Sequence, residues 1–366
     1  MGHYLLHQSQ ERAQDWILIL DESVEFGHSS LLVILGIRQS QLPEDRPLQA
    51  QDMACLFIGK ARSWKGLDIS QILDQLQQQL GRVIYVVSDK GNNLRKAVDL
   101  MNWQRVYDLN HFIAGNLKRL YEKNEAYQRF HKAATHMRRY QCLSKAACLV
   151  PPVQRAKARF LNIDKLCTWG RKILQLLDRL SVDDPMYQAV QWVKQHQPII
   201  EELNAIFQLA NPICGLLKKN GIDAQTITQC EQILNRDTQY PSVNDFRQAI
   251  QSYLSQIRQQ FTIQMKQGAI LCSSDIIESI FGRYKSYFPT NAMIGITDTA
   301  LSIALFTNKI DQQNLKMGLS SISTQQLKQY SQQTFGQSIV AQRQQLLRNE
   351  IKSISKNGEV ELAKSA

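Results

Sequence analysis

Residues 16–27 read WILILDESVEFG, and the step from Leu20 to Asp21 decides how this chain is expected to fold. Five apolar residues, too few for a helix, stand directly before Asp21 and Glu22, as in a buried strand that stops at its edge. An acidic residue placed directly after such a run points out of the end of a sheet, where its charge stays hydrated or meets a metal ion. A second junction of this kind lies at VIYVVSDKGNN (83–93), where Asp89 follows the apolar run and Lys90–Gly91 supplies a turn. A single strand-end Asp is usually a turn former or a helix cap, so neither junction means much alone.

Working outward, LLVILGI (31–37) and ACLFIGKA (54–61) are two further strand candidates. In GLDISQILDQLQQQLG (66–81), Ile69, Ile72, Leu73, Leu76 and Leu80 fall at helical spacing and Gly81 is placed to end the helix. KGNNLRKAVDLMNW (90–103) reads as a second helix and RVYDLNH (105–111) as a fifth strand. Three strands, a helix, a strand, a helix and a strand is the order of an RNase H-like core, and unrelated α/β domains share it.

Past Phe112 the strand signal stops. Apolar residues recur at three and four, as Ile173, Leu174, Leu177 and Leu180 in RKILQLLDRL (171–180), and Phe246, Ile250, Leu254 and Ile257 in DFRQAIQSYLSQIRQQF (245–261). Pro151, Pro152, Pro185, Pro198, Pro212 and Pro241 are expected to punctuate these helices. Core-type structure resumes with the helix SSDIIESIFGRYKSYF (273–288), stopped by Pro289, and another at ITDTALSIALFTNKI (296–310). The expected organisation is an N-terminal remnant (1–15), a core segment (16–111), an all-helical basic insertion (112–268), a second core segment (269–310) and polar C-terminal helices or tail (311–366). The fold class is therefore α/β: a mixed five-stranded sheet flanked by helices and interrupted by a large all-α insertion.

The 366 residues are 43% hydrophobic, ordinary for a globular chain, and carry a net charge of +11. Between Gly115 and Lys172 there are fourteen cations against three acids, so this stretch holds the whole surplus. A polyanionic partner such as DNA fits that concentration. Its cations interleave with Tyr140, Phe160 and Trp169, the mixture expected where a backbone groove meets stacked bases. For each aromatic alone, a place in the helical core is the ordinary reading. Seven cysteines without a CxxC motif imply free thiols rather than a disulfide framework. No signal peptide or membrane span is legible, so a cytoplasmic protein, nucleoid-associated when DNA-bound, is expected.

A third acid, Glu278, lies in the helix after the insertion, with Lys285 two turns on and Ser274 and Phe281 on the same stripe. Three converging carboxylates raise one another's pKa unless a cation lies among them. Mg²⁺ takes such oxygens, and two ions can hold the attacking and leaving oxygens of a phosphodiester. With these residues in this order, the chain resembles a transposase of the DDE superfamily over about residues 16–309. WILILDES resembles the strand of the first Asp, VVSDKGNNLRKAV that of the second, and SSDIIESIFGRYK the final helix with its Glu and a cation seven later. YDLNHF (107–112) resembles a Cys/Asp-x-x-His element found before the insertion in several such enzymes, here Asp108 and His111. Leu271 and Ser274 stand where one insertion-sequence subgroup has Tyr and Arg.

The resemblance implies Mg²⁺-dependent cleavage and strand transfer at transposon ends, with Asp21, Asp89 and Glu278 holding two Mg²⁺ that Mn²⁺ would replace. It further implies contacts to double-stranded DNA, at the transposon ends and in the target, by Lys285, Arg283, His111, Trp169, Arg138, Arg139, Arg155, Lys157, Arg159, Arg171 and Lys172, with a homodimer on the DNA. Trp169 is the expected base-stacking wedge and Trp192 the runner-up. A non-catalytic descendant that only binds DNA, and an RNase H-like nuclease that cuts without joining, remain the alternatives. Asp108 as a replacement metal ligand and Asp275 as a rival third carboxylate are the weaker options; Asp275 fits better beside a Ser273 or Ser274 cap.

Overall fold

The computed structural model describes residues 1–26, 29–43, 46–144, 146–154, 156–235, 239–288, 295–308 and 310–350, without the side chains of 24–26 and 156–158. Two compact units emerge, Met1–Val106 with Ser274–Ala366, and Tyr107–Ser273.

The first unit is built on strands β1 (Ala13–Phe26), β2 (Ser29–Arg38), β3 (Ala54–Ala61), β4 (Gly81–Ser88) and β5 (Arg105–Tyr107). Their order across the sheet is β3-β2-β1-β4-β5. β1 pairs antiparallel with β2 and parallel with β4, and β2 pairs antiparallel with β3. This is the mixed five-stranded sheet of an RNase H-like α/β fold. Helix α1 (Gly2–Leu6) precedes the sheet; α2 (Gly66–Leu80) and α3 (Asn92–Leu100) cross between strands.

Alternation along the strands sorts the side chains onto two faces. Trp16, Leu18, Leu20, Val83 and Val86 join Ile69, Leu73, Leu76, Leu94 and Val98 of the two crossing helices in one buried cluster. Ile17, Ile19, Tyr85 and Val87, also buried, take the other face, with a register irregularity between Val83 and Tyr85 letting Val83 share a face with Val86. Gly81 ends α2 at φ 95°, and a Cβ there would lie 2.4 Å from the carbonyl oxygen of Ala13, so glycine alone suits the junction where β4 enters the sheet beside β1.

Helix α11 (Asp275–Tyr287) packs against β1. Its buried stripe is Ile277, Ile280, Phe281 and Tyr284, and none of these joins the cluster formed with α2 and α3. α11 therefore serves the opposite face. After it come α12 (Ile303–Phe306), α13 (Gln312–Ser321) and α14 (Thr324–Thr334), the last two largely exposed. The helix expected over 296–310 is broken, with a 3-10 turn at Asp298–Ser302 ahead of α12. Pro289, expected to stop α11, lies outside the described residues.

The second unit contains α4 (Leu109–Tyr121), α5 (Glu125–Gln141), α6 (Ile163–Leu177), α7 (Pro185–Val190), α8 (Gln197–Asn220), α9 (Ala224–Leu234) and α10 (Pro241–Gln260). α8 is its central post, touching α4, α5, α6, α9 and α10. Pro185, Pro198 and Pro241 occupy first turns, where a missing N–H costs nothing. Pro212 departs from the expectation, since it sits inside α8. Its lost hydrogen bond is offset by burial of Leu209, Ala210 and Ile213 on either side. Besides its helices this unit has one β-bridge, Ile222 to Ile270, among the described residues. No disulfide joins any of the seven cysteines, and no described helix is long and apolar enough to cross a membrane.

Candidate active site

Asp21 does not close β1, as the sequence suggests; the strand runs on to Phe26. What stops is the neighbour. Pairing between β1 and β4 ends at Leu20 with Ser88, and beyond it β1 stays paired to β2 alone, Asp21 facing Val33 and Glu22 facing Leu32. The long β1–β2 ladder extends the strand past the point where β4 turns away, so the apolar-to-acidic step marks the edge of the sheet's parallel half.

Asp21 follows Leu20 in β1 and Asp89 follows Ser88 at the end of β4, so the two acids come directly after the last pair of the parallel ladder. Asp21 follows Ile19 by two within β1, so its side chain belongs to the face opposite α2 and α3, while Asp89 stands just past β4 in the turn to α3. Asp21 and Asp89 are each half-buried. Asp21 Oδ1 accepts from the Glu22 N–H at 2.8 Å. Asp89 Oδ1 accepts from the Gly91 N–H at 2.8 Å, an Asx turn that bends the chain from β4 into α3. A Cβ at Gly91 would stand 2.8 Å from that oxygen, so glycine keeps the turn open. Arg105 Nη1 donates to the Asp89 carbonyl at 3.3 Å and ties β5 to the same corner.

Glu278 lies in the first turn of α11 and is exposed. Lys285, two turns on, falls about 20° from it around the helix axis. Phe281, expected on that exposed stripe, instead joins the buried face at 5% exposure. Arg283 lies about 140° round from Glu278, with its guanidinium 5.0 Å from the Phe306 ring centre, directed away from the carboxylate. Ser274 is the N-cap residue, as one of the two expected serines, though its side chain makes no cap bond, and Asp275 lies in the first turn.

The donor set of two aspartates and a glutamate is hard oxygen, the chemistry that Mg²⁺ or Mn²⁺ takes. Asp21 in β1, Asp89 just after β4 and Glu278 on the helix packed against β1 all belong to the first unit. Among the described residues, however, no three His, Cys, Asp or Glu side chains are gathered closely enough to hold a metal ion.

In the second unit, Asp108 is fully buried and caps α4, its Oδ1 accepting from the His111 N–H at 2.8 Å. The Asp-x-x-His spacing therefore has a local cause, because an N-cap side chain reaches the third residue of its helix. The His111 side chain is half-buried.

Trp169 is held inward. Its indole N–H donates to the Leu149 carbonyl at 2.9 Å, and its ring lies 6.4 Å from Phe130 and 5.9 Å from Trp192. It forms part of the aromatic centre of this unit. Trp169→Ala is expected to destabilise the helical unit by about 3 kcal/mol, the low end for a truncated aromatic, and to weaken DNA binding only through that loss. Denaturant titration, with binding measured below the transition, separates the two effects.

Arg138 is also engaged, Nη1 donating to the Pro151 carbonyl at 2.6 Å. Arg159 lies 5.1 Å from the Phe160 ring centre, half-buried, its Nε without a hydrogen-bond partner. Burial, reinforced by the Arg159 charge, holds the His131 pKa below its usual value. Burial pushes the Tyr127 hydroxyl up to about 12, against the opposing pull of Arg159. Arg139, Arg171 and Lys172 are exposed. Arg155, and the side chain of Lys157, lie outside the described residues. Of the three aromatics interleaved with cations in the sequence, Tyr140 is 64% exposed, Phe160 is buried and Trp169 is half-buried. The helical phase of α5 could have shown the exposure of Tyr140.

No family model matches this sequence, and no curated protein matches it. Among solved structures, the strand transfer complex of the Drosophila P element transposase is similar over 89% of this chain and 81% of that chain, at 12% identity and a TM-score of 0.37. An overlap that loose says nothing about activity.

Proposed function

We propose that the chain is a metal-dependent polynucleotidyl transferase of the DDE transposase kind, which cuts a DNA strand and joins the freed 3′ end to a second DNA. The observation that carries this reading is the placement of Asp21 and Asp89. Each directly follows the last β1–β4 pair, Leu20 with Ser88, and the Glu278 helix packs against β1. In this reading Asp21 and Asp89 form the fixed half of a divalent-ion site, and the exposed Glu278 closes it from α11. Divalent ions there supply Lewis acidity at the phosphodiester. Carboxylates repel one another without a cation between them, so the three close only around ions. Lys285 steadies a neighbouring phosphate. The cations of the helical unit provide sequence-independent affinity for the backbone, which falls steeply with salt.

The test uses the full chain, labelled duplex DNA, and Mg²⁺ or Mn²⁺. Nicked and joined products are expected with the metal and absent with chelator. Nicked product without joining would instead mark a nuclease. A second reading, a DNA-binding protein without catalysis, is favoured by the ungathered carboxylates. It predicts salt-sensitive binding with no product under any metal.

A further inference from the structure

α5 has two faces of opposite character. The inner one buries Tyr127, Phe130, Ala134 and Met137. The outer one presents Arg129, Lys132, His136, Arg139 and Tyr140, all exposed. At 100° per residue these five fall within about 100° of one another, along about 16 Å of helix. Arg129 is paired with Glu125 at 3.2 Å.

Cations and rings alternate along this stripe. The Tyr140 ring is 4.4 Å from that of His136 and 64% exposed, and Leu143 beyond it is 98% exposed. Large apolar side chains left together in water are informative where a single one is not, and the same unit turns Phe160 and Trp169 inward. On the flank of the stripe lies a cavity of about 260 Å³ lined by Thr135, Arg138, Arg139, Pro152 and Gln154. It shares Arg139 with the outer face, and Arg138, which also lines it, donates to the Pro151 carbonyl. The volume is below the roughly 300–1,000 Å³ of drug-sized ligand pockets and leaves room for a hydrated backbone phosphate. Two guanidinium groups beside it match phosphate geometry.

We infer that the outer face of α5 binds unpaired DNA, with His136 and Tyr140 as a stacking surface for bases, Lys132 and Arg139 on the phosphates between them, and the flanking cavity receiving a backbone phosphate. The surrounding sequence, with fourteen cations against three acids, supplies the charge complement for a nucleic-acid strand. Duplex DNA would engage the cations, but its bases are already stacked on each other and offer no free ring face. This inference rests on the DNA-processing reading and adds the form of DNA that the helical unit holds.

The experiment measures anisotropy of a labelled 15-nucleotide oligo-dT and of a 15-base-pair duplex with the full chain at one salt concentration. Tyr140→Ala is expected to weaken oligo-dT binding roughly tenfold and Tyr140→Trp to restore it, as base–aromatic stacking requires. Duplex binding should stay within about twofold, because no paired base reaches the ring. Arg139→Gln is expected to weaken both and to lower the salt slope by about one. Oligo-dT affinity unchanged by Tyr140→Ala, or a loss equal for single strand and duplex, would overturn the stacking surface. Failure of the unaltered chain to bind either DNA overturns the DNA-processing reading as well, whereas salt-sensitive duplex binding indifferent to Tyr140→Trp and Tyr140→Ala overturns this inference alone.

Discussion

Asp89→Asn is expected to reduce metal-dependent cutting and joining of labelled DNA by about 100- to 10,000-fold, the several kcal/mol that a metal ion supplies at a phosphoryl centre. Asparagine keeps the size of the side chain and one carbonyl oxygen. Its Oδ1 can still accept from the Gly91 N–H, now at 2.8 Å, so the turn into α3 persists. The negative charge is what goes. Circular dichroism and thermal unfolding should match the unaltered chain, and DNA affinity measured in chelator should be preserved. If activity survived at more than about a tenth of its original level, Asp89 would be a turn former only.

Ile280→Ala is expected to cost the sheet-containing unit about 2–5 kcal/mol and, on the proposed function, to abolish cutting while any DNA binding by the helical unit persists. Ile280 is fully buried, on the stripe that holds α11 in place. Removing three carbons leaves a cavity that the sheet cannot close, since strands paired on both sides do not shift independently. Glu278 is carried by this helix and depends on its seat. Urea denaturation followed by far-ultraviolet circular dichroism measures the loss. A change below about 1 kcal/mol would mean that α11 is anchored elsewhere.

Most of the sheet was legible because its strands announce themselves locally, but of the strand expected over 105–111 only Arg105–Tyr107 is β5, and Asp108 already caps α4. ACLFIGKA (54–61) coincides with β3, and Gly81 marks the end of α2 by its positive φ. The run WILIL located the start of the site but not the course of its strand. Periodicity reports which residues are buried, and it does not report where a neighbouring strand leaves; β1 continues five residues past Asp21 because β2 does. Phe281 was misassigned for a similar reason, as a stripe of i, i+3 and i+7 positions grazes the buried face of α11 at its edge. Pro212 and Trp169 show the limit of residue-type rules. A proline inside α8 and a tryptophan turned inward both follow from packing among distant helices, which no local window contains. Tyr140 and Trp169 have the same kind of neighbours in sequence, and only the phase of each helix against its core separates the exposed ring from the half-buried one.

The most direct test of the proposed chemistry is a titration of Mn²⁺ into the full chain, followed by electron paramagnetic resonance in the presence of duplex DNA. Two ions per chain are predicted, each bound more weakly after Asp21→Asn, Asp89→Asn or Glu278→Gln. A stoichiometry and affinity indifferent to all three substitutions would contradict the account.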